Sequence, residues 1–184
     1  MLSSNELDPV GLEGAPATEL DAPGTPETKA LHALWLGKFE GKELPCRSDF
    51  SPIEMKDYLD HIYIIEVIDG GADFLVRLAG TALTGMFGDD FTGAKFSDER
   101  LKEASWRLKI FRAAYNRLEP VVFRFQLGPE DAPRLMTENL ILPVQDKTAR
   151  DKTARDKAGG DHIILLCVSI VVGALDGMGR LVDV

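Results

Sequence analysis

Apolar residues recur at two different periods along this chain, and the changes of period mark its elements. Leu31, Leu34 and Trp35 repeat at the three-to-four spacing of a helix, with Leu36 and Phe39 beside them. Thr25-Pro26-Glu27 is the start signal: a hydroxyl cap, a proline suited to the first helical position and an acid in the first turn. Gly41 ends the run. Ser51-Pro52-Ile53-Glu54 reads as a capping box that opens a short helix ending near Leu59.

The period then shortens to two. His61–Asp69 is almost wholly β-branched or aromatic, and Phe74, Val76 and Leu78 alternate with Leu75, Arg77 and Ala79, which predicts two strands. Asp69-Gly70-Gly71-Ala72 between them has the composition of a hairpin turn. Residues 81–97 read as short helical turns broken at Gly85, Gly88 and Gly93. A longer helix is expected from about Asp98 to Leu118, striped by Leu101, Ala104, Leu108, Phe111, Tyr115 and Leu118. Three more strands follow, over Val121–Leu127, Arg134–Val144 and Ile163–Val172. Short connections imply an antiparallel sheet, and helices grouped in one insert imply an α+β fold. Strands 61–69 and 163–172 are apolar on both faces, so both are expected at the centre of the sheet. The inserted helices cover one face. The helix at 31–39 is the candidate cover for the other, and a second protomer's sheet would serve equally well.

Charge refines the boundaries. The 184 residues carry a net charge of −9, yet residues 1–28 hold six acids and no base, which leaves −3 for the rest. Residues 1–25 also contain three prolines, three glycines and no aromatic, a composition expected to form a disordered tail. The expected divisions are therefore this tail, a helical segment over 26–60, a core over 61–175 and an extension over 176–184. The acidity disfavours nucleic acid and anionic membranes as partners. The longest apolar run, Ile163 to Leu175, is too short for the roughly 20 residues of a membrane helix. With no secretory signal pattern, a cytoplasmic location is expected. Asp146–Arg155 is a five-residue unit repeated twice, read as a solvated loop lengthened by duplication.

Four short motifs then fall in order: Leu34-Trp35; Leu44-Pro45-Cys46-Arg47-Ser48-Asp49-Phe50-Ser51-Pro52; Phe74 to Thr81, ending Arg77-Leu78-Ala79-Gly80-Thr81; and Phe87-Gly88-Asp89-Asp90-Phe91-Thr92-Gly93. With the strand and helix order, they resemble the PAS (Per-ARNT-Sim) domain family, in particular a bacterial subfamily of mostly small stand-alone proteins. The resemblance covers residues 31 to about 172. It implies a five-stranded antiparallel sheet in the order 2-1-5-4-3, with helices inserted between strands two and three. The acidic tail and the duplicated loop depart from the pattern and inherit no role. Arg77, Gly80, Thr81 and Gly93 read as architectural. Gly80-Thr81 is expected to end a strand and cap the next helix through the threonine hydroxyl, and Gly93 suits a positive φ.

Domains of this family often enclose a cofactor, so each candidate group matters. The helix 98–118 and the turns before it contain no histidine, and Met86, the soft ligand there, suits packing better than haem ligation. No cysteine lies in residues 81–100, and Cys46 and Cys167 form no CxxCH. Covalent flavin and c-type haem are therefore disfavoured, while non-covalent flavin or haem stays open. His61 and His162 begin strands expected to be neighbours, and Asp60, Glu66 or Asp161 could supply a third metal ligand; strand-edge histidines are the preferred reading, with no metal assigned. Asp89-Asp90 reads as a turn, not an acid–base pair. No nucleophile elbow, HExxH or P-loop is present, so no catalytic residue is assigned.

What remains is an apolar pocket, with Phe74, Phe87, Phe91, Phe96, Leu108, Phe111, Phe123 and Phe125 as its expected walls. Alternation places Arg124 and Gln126 on the opposite face, so the pocket is expected to be chemically inert. Arg100, Arg107, Lys109 and Arg112 read as a modest basic patch on a solvated helix face. The resulting expectation is a cytoplasmic sensory or interaction module, not an enzyme. It would take a small apolar ligand and signal by contact with another, unidentified protein. No kinase, cyclase or DNA-binding segment follows the fold in this sequence, which favours output through contact. Leu31, Leu34, Trp35 and Phe39 are the expected homodimer contacts. The alternatives are a ligand-free dimerisation adaptor and a small-molecule enzyme on a cone-like α+β sheet, which would need an ionisable pocket residue of shifted pKa.

Overall fold

A computed structural model describes residues 17–39, 43–104, 106–127, 134–147, 162–175 and 181–182. Strands are β1 (Ala17–Leu20), β2 (Ile62–Ile68), β3 (Asp73–Ala79), β4 (Val121–Leu127), β5 (Arg134–Gln145), β6 (Ile163–Leu175) and β7 (Leu181–Val182). Helices are α1 (Pro26–Lys38), α2 (Thr81–Phe87) and α3 (Arg107–Arg117), with 3-10 turns at Arg47–Asp49, Lys56–His61 and Glu99–Ala104. All strand pairs are antiparallel, in the order β1-β4-β5-β6-β2-β3, with β7 on the end of β6. The five main strands thus keep the expected 2-1-5-4-3 order, and the two strands with apolar residues on both faces are central.

Alternation along those strands builds two cores. Tyr63, Ile65 and Val67 of β2, with Leu165 and Cys167 of β6, join the inner core beneath α2 and α3. Ile62 and Ile64, with Ile164, Leu166, Val168 and Ile170, join the outer core beneath α1 and the segment 44–58. The sheet is therefore sealed on both faces within one chain. α1 starts as its residues dictate: the Thr28 N–H donates to the Thr25 hydroxyl at 3.2 Å, and Pro26 occupies the first turn. The β2–β3 hairpin turns through Asp69, Gly70 and Gly71, all at positive φ.

Four local expectations change. Ala17–Leu20, within the segment read as tail, is an edge strand on β4, and Arg117 pairs with Glu19 at 3.1 Å beside it; residues 1–16 lie outside the described residues. The single helix expected over 98–118 is a 3-10 turn followed by α3. In a continuous helix Leu101 and Trp106 would point about 140° apart. Both pack against the inner core, which the break allows. α3 accordingly buries Ile110, Phe111 and Ala114, with Leu108 and Tyr115 at the margin and Leu118 exposed. After Ser51 the chain makes turns and a 3-10 helix; the Glu54 carboxylate still accepts the Ser51 N–H at 2.9 Å. Thr81 does not cap α2: Gly80 holds the cap position and no side-chain hydrogen bond closes that end. A Cβ on Gly80 would overlap the Asp60 carbonyl, so close backbone approach is what demands glycine there. Gly93 has φ +84°, as its loop position implied. The duplicated unit, apart from Asp146 and Lys147, lies outside the described residues.

Candidate functional site at the inner face

All eight residues expected to line a pocket gather at the inner face. Phe74, Phe96, Phe111, Phe123 and Phe125 are buried there, with Phe87, Phe91 and Leu108 packed partly buried against them. Strand alternation aims Phe74, Phe123 and Phe125 inward, and the 3.6-residue period aims Phe111 at them. The rings form two groups. Phe111 lies 5.4 Å from Phe74 and 5.0 Å from Phe96, centroid to centroid. Trp106 lies 5.2 Å from Phe125 and 6.2 Å from Phe123, edge to face.

The face is not inert. Arg107, assigned from its neighbours to a solvated patch, turns into this cluster. Its guanidinium lies 4.5 Å from the Phe125 ring centroid, 4.9 Å from Phe87 and 5.3 Å from Trp106. Its Nε is buried with no hydrogen-bond partner. Tyr63 and Cys167, opposite one another on adjacent central strands, are its titratable neighbours, and the thiol donates to the Leu165 carbonyl at 3.6 Å. Burial pushes the phenol and the thiol well above their ordinary values and draws the guanidinium below its own. Phenol and thiol therefore stay protonated at neutral pH.

The signal for Arg107 was present in the sequence. It precedes Ile110, Phe111 and Ala114 by three, four and seven residues, the spacing of one helix face. Arg100, Lys109 and Arg112 stay exposed, as expected of a solvated face. Arg100 pairs with Asp89 at 2.9 Å, and Arg112 donates to the Gly71 and Ala72 carbonyls at 2.9 Å, tying α3 to the hairpin. Asp90 accepts the Thr92 N–H at 2.9 Å, in keeping with a turn. Met86 packs against the inner core.

The expected dimer contacts lie in the outer core of the single chain. Leu31 and Trp35 are 0% and 3% exposed within the single chain. Trp35 donates its indole N–H to the Pro143 carbonyl at 2.9 Å and stacks on Phe39 at 4.9 Å. Leu34 and Phe39 pack partly buried against the same outer core. These side chains cover the sheet, because a two-faced central sheet needs that cover. Leu36, 52% exposed, is the large apolar residue α1 leaves open.

The two histidines do not meet. Antiparallel register sets His61 opposite Ser169, whose carbonyl contacts its Nδ1 at 3.1 Å, while His162 sits at the other end beside Glu66 at 3.6 Å. No group of three metal-ligating side chains occurs among the described residues. Arg77 spans the outer face to the buried Asp146 at 2.6 Å, so its role is a latch from β3 to the end of β5. A separate cleft of about 370 Å³ opens between the end of α1 and residues 43–49, lined by Lys38, Glu43, Cys46 and Gln145 among others.

The sequence profile of the PAS domain matches residues 24–155. That is well over half the chain, and the chain belongs to the PAS domain family, a class of sensory and regulatory modules in signalling. The match ends before β6, which the structure supplies as the central fifth strand. No curated protein and no solved structure matches the chain. Among the described residues, no helix is long and apolar enough to cross a membrane.

Proposed function

We infer that the protein is a cytoplasmic PAS sensor that holds a small, largely apolar ligand at the inner face and signals by contact with a second protein. The observation that carries this reading is the convergence of Phe74, Phe87, Phe111, Phe123, Phe125 and Trp106 on one side of the sheet under α2 and α3. A ligand there shifts the protein only as far as its affinities for two conformations differ. The central strands offer a route, since Tyr63 and Cys167 face the ligand side while Ile62, Ile64, Leu166 and Val168 face α1.

The same groups argue against an enzyme. A base or nucleophile must be available in its reactive form, and the phenol and thiol of the inner face are held protonated. They suit recognition better than reaction. Absorption spectroscopy and native mass spectrometry of the purified protein test the reading. Flavin, haem or a metabolite carried through purification is expected; an empty chain that survives denaturing extraction without releasing any small molecule favours the dimerisation adaptor.

Self-association is proposed through the open flank of α1. Leu36→Asp is expected to shift a dimer to monomer in analytical ultracentrifugation without lowering the melting temperature; an unchanged dimer overturns the placement.

A further inference from the structure

We propose that Arg107 is the recognition point for a small organic monoanion, an aromatic or long-chain carboxylate whose apolar body lies against Phe87, Trp106 and Phe125. This rests on the reading of the inner face as the ligand site, and names the chemistry of what it takes.

The argument is one of unbalanced polarity. A guanidinium carries five N–H donors in a planar fork suited to a carboxylate. Arg107 places that fork among three aromatic rings, and among the described residues no carboxylate is paired with it. Its Nε donor is sealed from solvent and unsatisfied. Ring stacking offsets part of the cost of holding the half-buried guanidinium there but offers no acceptor to its Nε–H. Two buried carboxylates show the contrast: Glu138 pairs with Arg124 and three further donors, and Asp146 pairs with Arg77. Arg107 differs in having no carboxylate partner among the described residues, and its unsatisfied Nε is a donor open to an acceptor from outside the chain.

The neighbours narrow the class. Tyr63 and Cys167 are neutral, so one cation faces the site and one negative charge balances it. A carboxylate matches that charge; a phosphate dianion would leave an excess in an apolar surround. The rings select a ligand body that is flat or hydrocarbon, since hydrophilic anions such as acetate would leave Phe87 and Phe125 without contact.

Calorimetric titration of the full chain with 2-naphthoate and decanoate, each beside its primary amide, tests this. Each acid should bind at least tenfold more tightly than its amide. In Arg107→Met the preference should vanish while amide binding stays, and Arg107→Lys should keep part of it. Without ligand, the Arg107→Met protein should melt no lower than the parent, because it loses an unsatisfied buried donor. Equal binding of acid and amide by the parent overturns the anion inference and leaves the ligand site standing. A melting temperature lowered by more than about 5 °C in Arg107→Met, with the acid preference unaltered, makes the guanidinium structural. If neither acid nor amide binds, the ligand-site reading falls, and this inference with it.

Discussion

Glu138 shows what a single side chain does in this fold. Its side chain has no exposure, yet it accepts five hydrogen bonds: from Gly24 and Thr25 N–H and the Thr28 hydroxyl at one oxygen, and twice from Arg124 at the other. The residue fastens the start of α1 to the outer face of β4 and β5. Burial raises its pKa, and the hydrogen bonds from Thr28, Thr25, Gly24 and Arg124 outweigh burial, so the carboxyl sits below its ordinary value. A folded value below the unfolded one stabilises the protein above the ordinary glutamate pKa, and that stability is lost as pH falls through the folded value. Glu138→Gln should therefore cost about 3 kcal/mol at pH 7 in urea unfolding. It should also flatten the fall in stability on the acid side; an equally steep fall would assign it to other groups. Gly80→Ala belongs to the same scale, since its methyl meets the Asp60 carbonyl and the Ile62 oxygen at 2.9 Å. It should lower the melting temperature by about 5 °C or more in calorimetry.

At the scale of elements, α1 is part of the outer core. Trp35→Ala removes a buried ring and its hydrogen bond to Pro143, and should cost about 3–5 kcal/mol at any protein concentration. A loss that disappears on dilution would return Trp35 to an interface. The stripe Leu31-Leu34-Trp35 was legible as an amphipathic helix from its spacing. Which surface it covers was not, because periodicity says that a face must be buried and never against what. The expected 98–118 helix failed for a related reason. Spacing in sequence treats a helix as straight, whereas packing of both Leu101 and Trp106 inward required a break. Arg107 and Arg112 are consequences of where α3 then lies, one among the rings and the other on the hairpin carbonyls.

At the scale of the molecule, one sheet separates two cores, and β2 and β6 belong to both. A carboxylate bound at Arg107 should slow amide exchange in β2, β6 and α3 more than at the exposed flank of α1, as measured by hydrogen exchange with and without 2-naphthoate. Equal protection everywhere would mean that binding acts only through global stability. The two central strands, the turn residues and the aromatic wall were determined by local pattern, since period-two alternation, apolarity on both faces and glycine placement each report a backbone requirement that neighbours in sequence express; the order of the five strands came from the family resemblance. The edge strand at Ala17–Leu20, the pairing of Arg77 with Asp146, the separation of His61 from His162 and the placing of Tyr63 and Cys167 beside Arg107 were decided by tertiary structure alone. Each depends on residues brought together from distant parts of the chain, and a period read along neighbouring residues does not report which distant groups will meet.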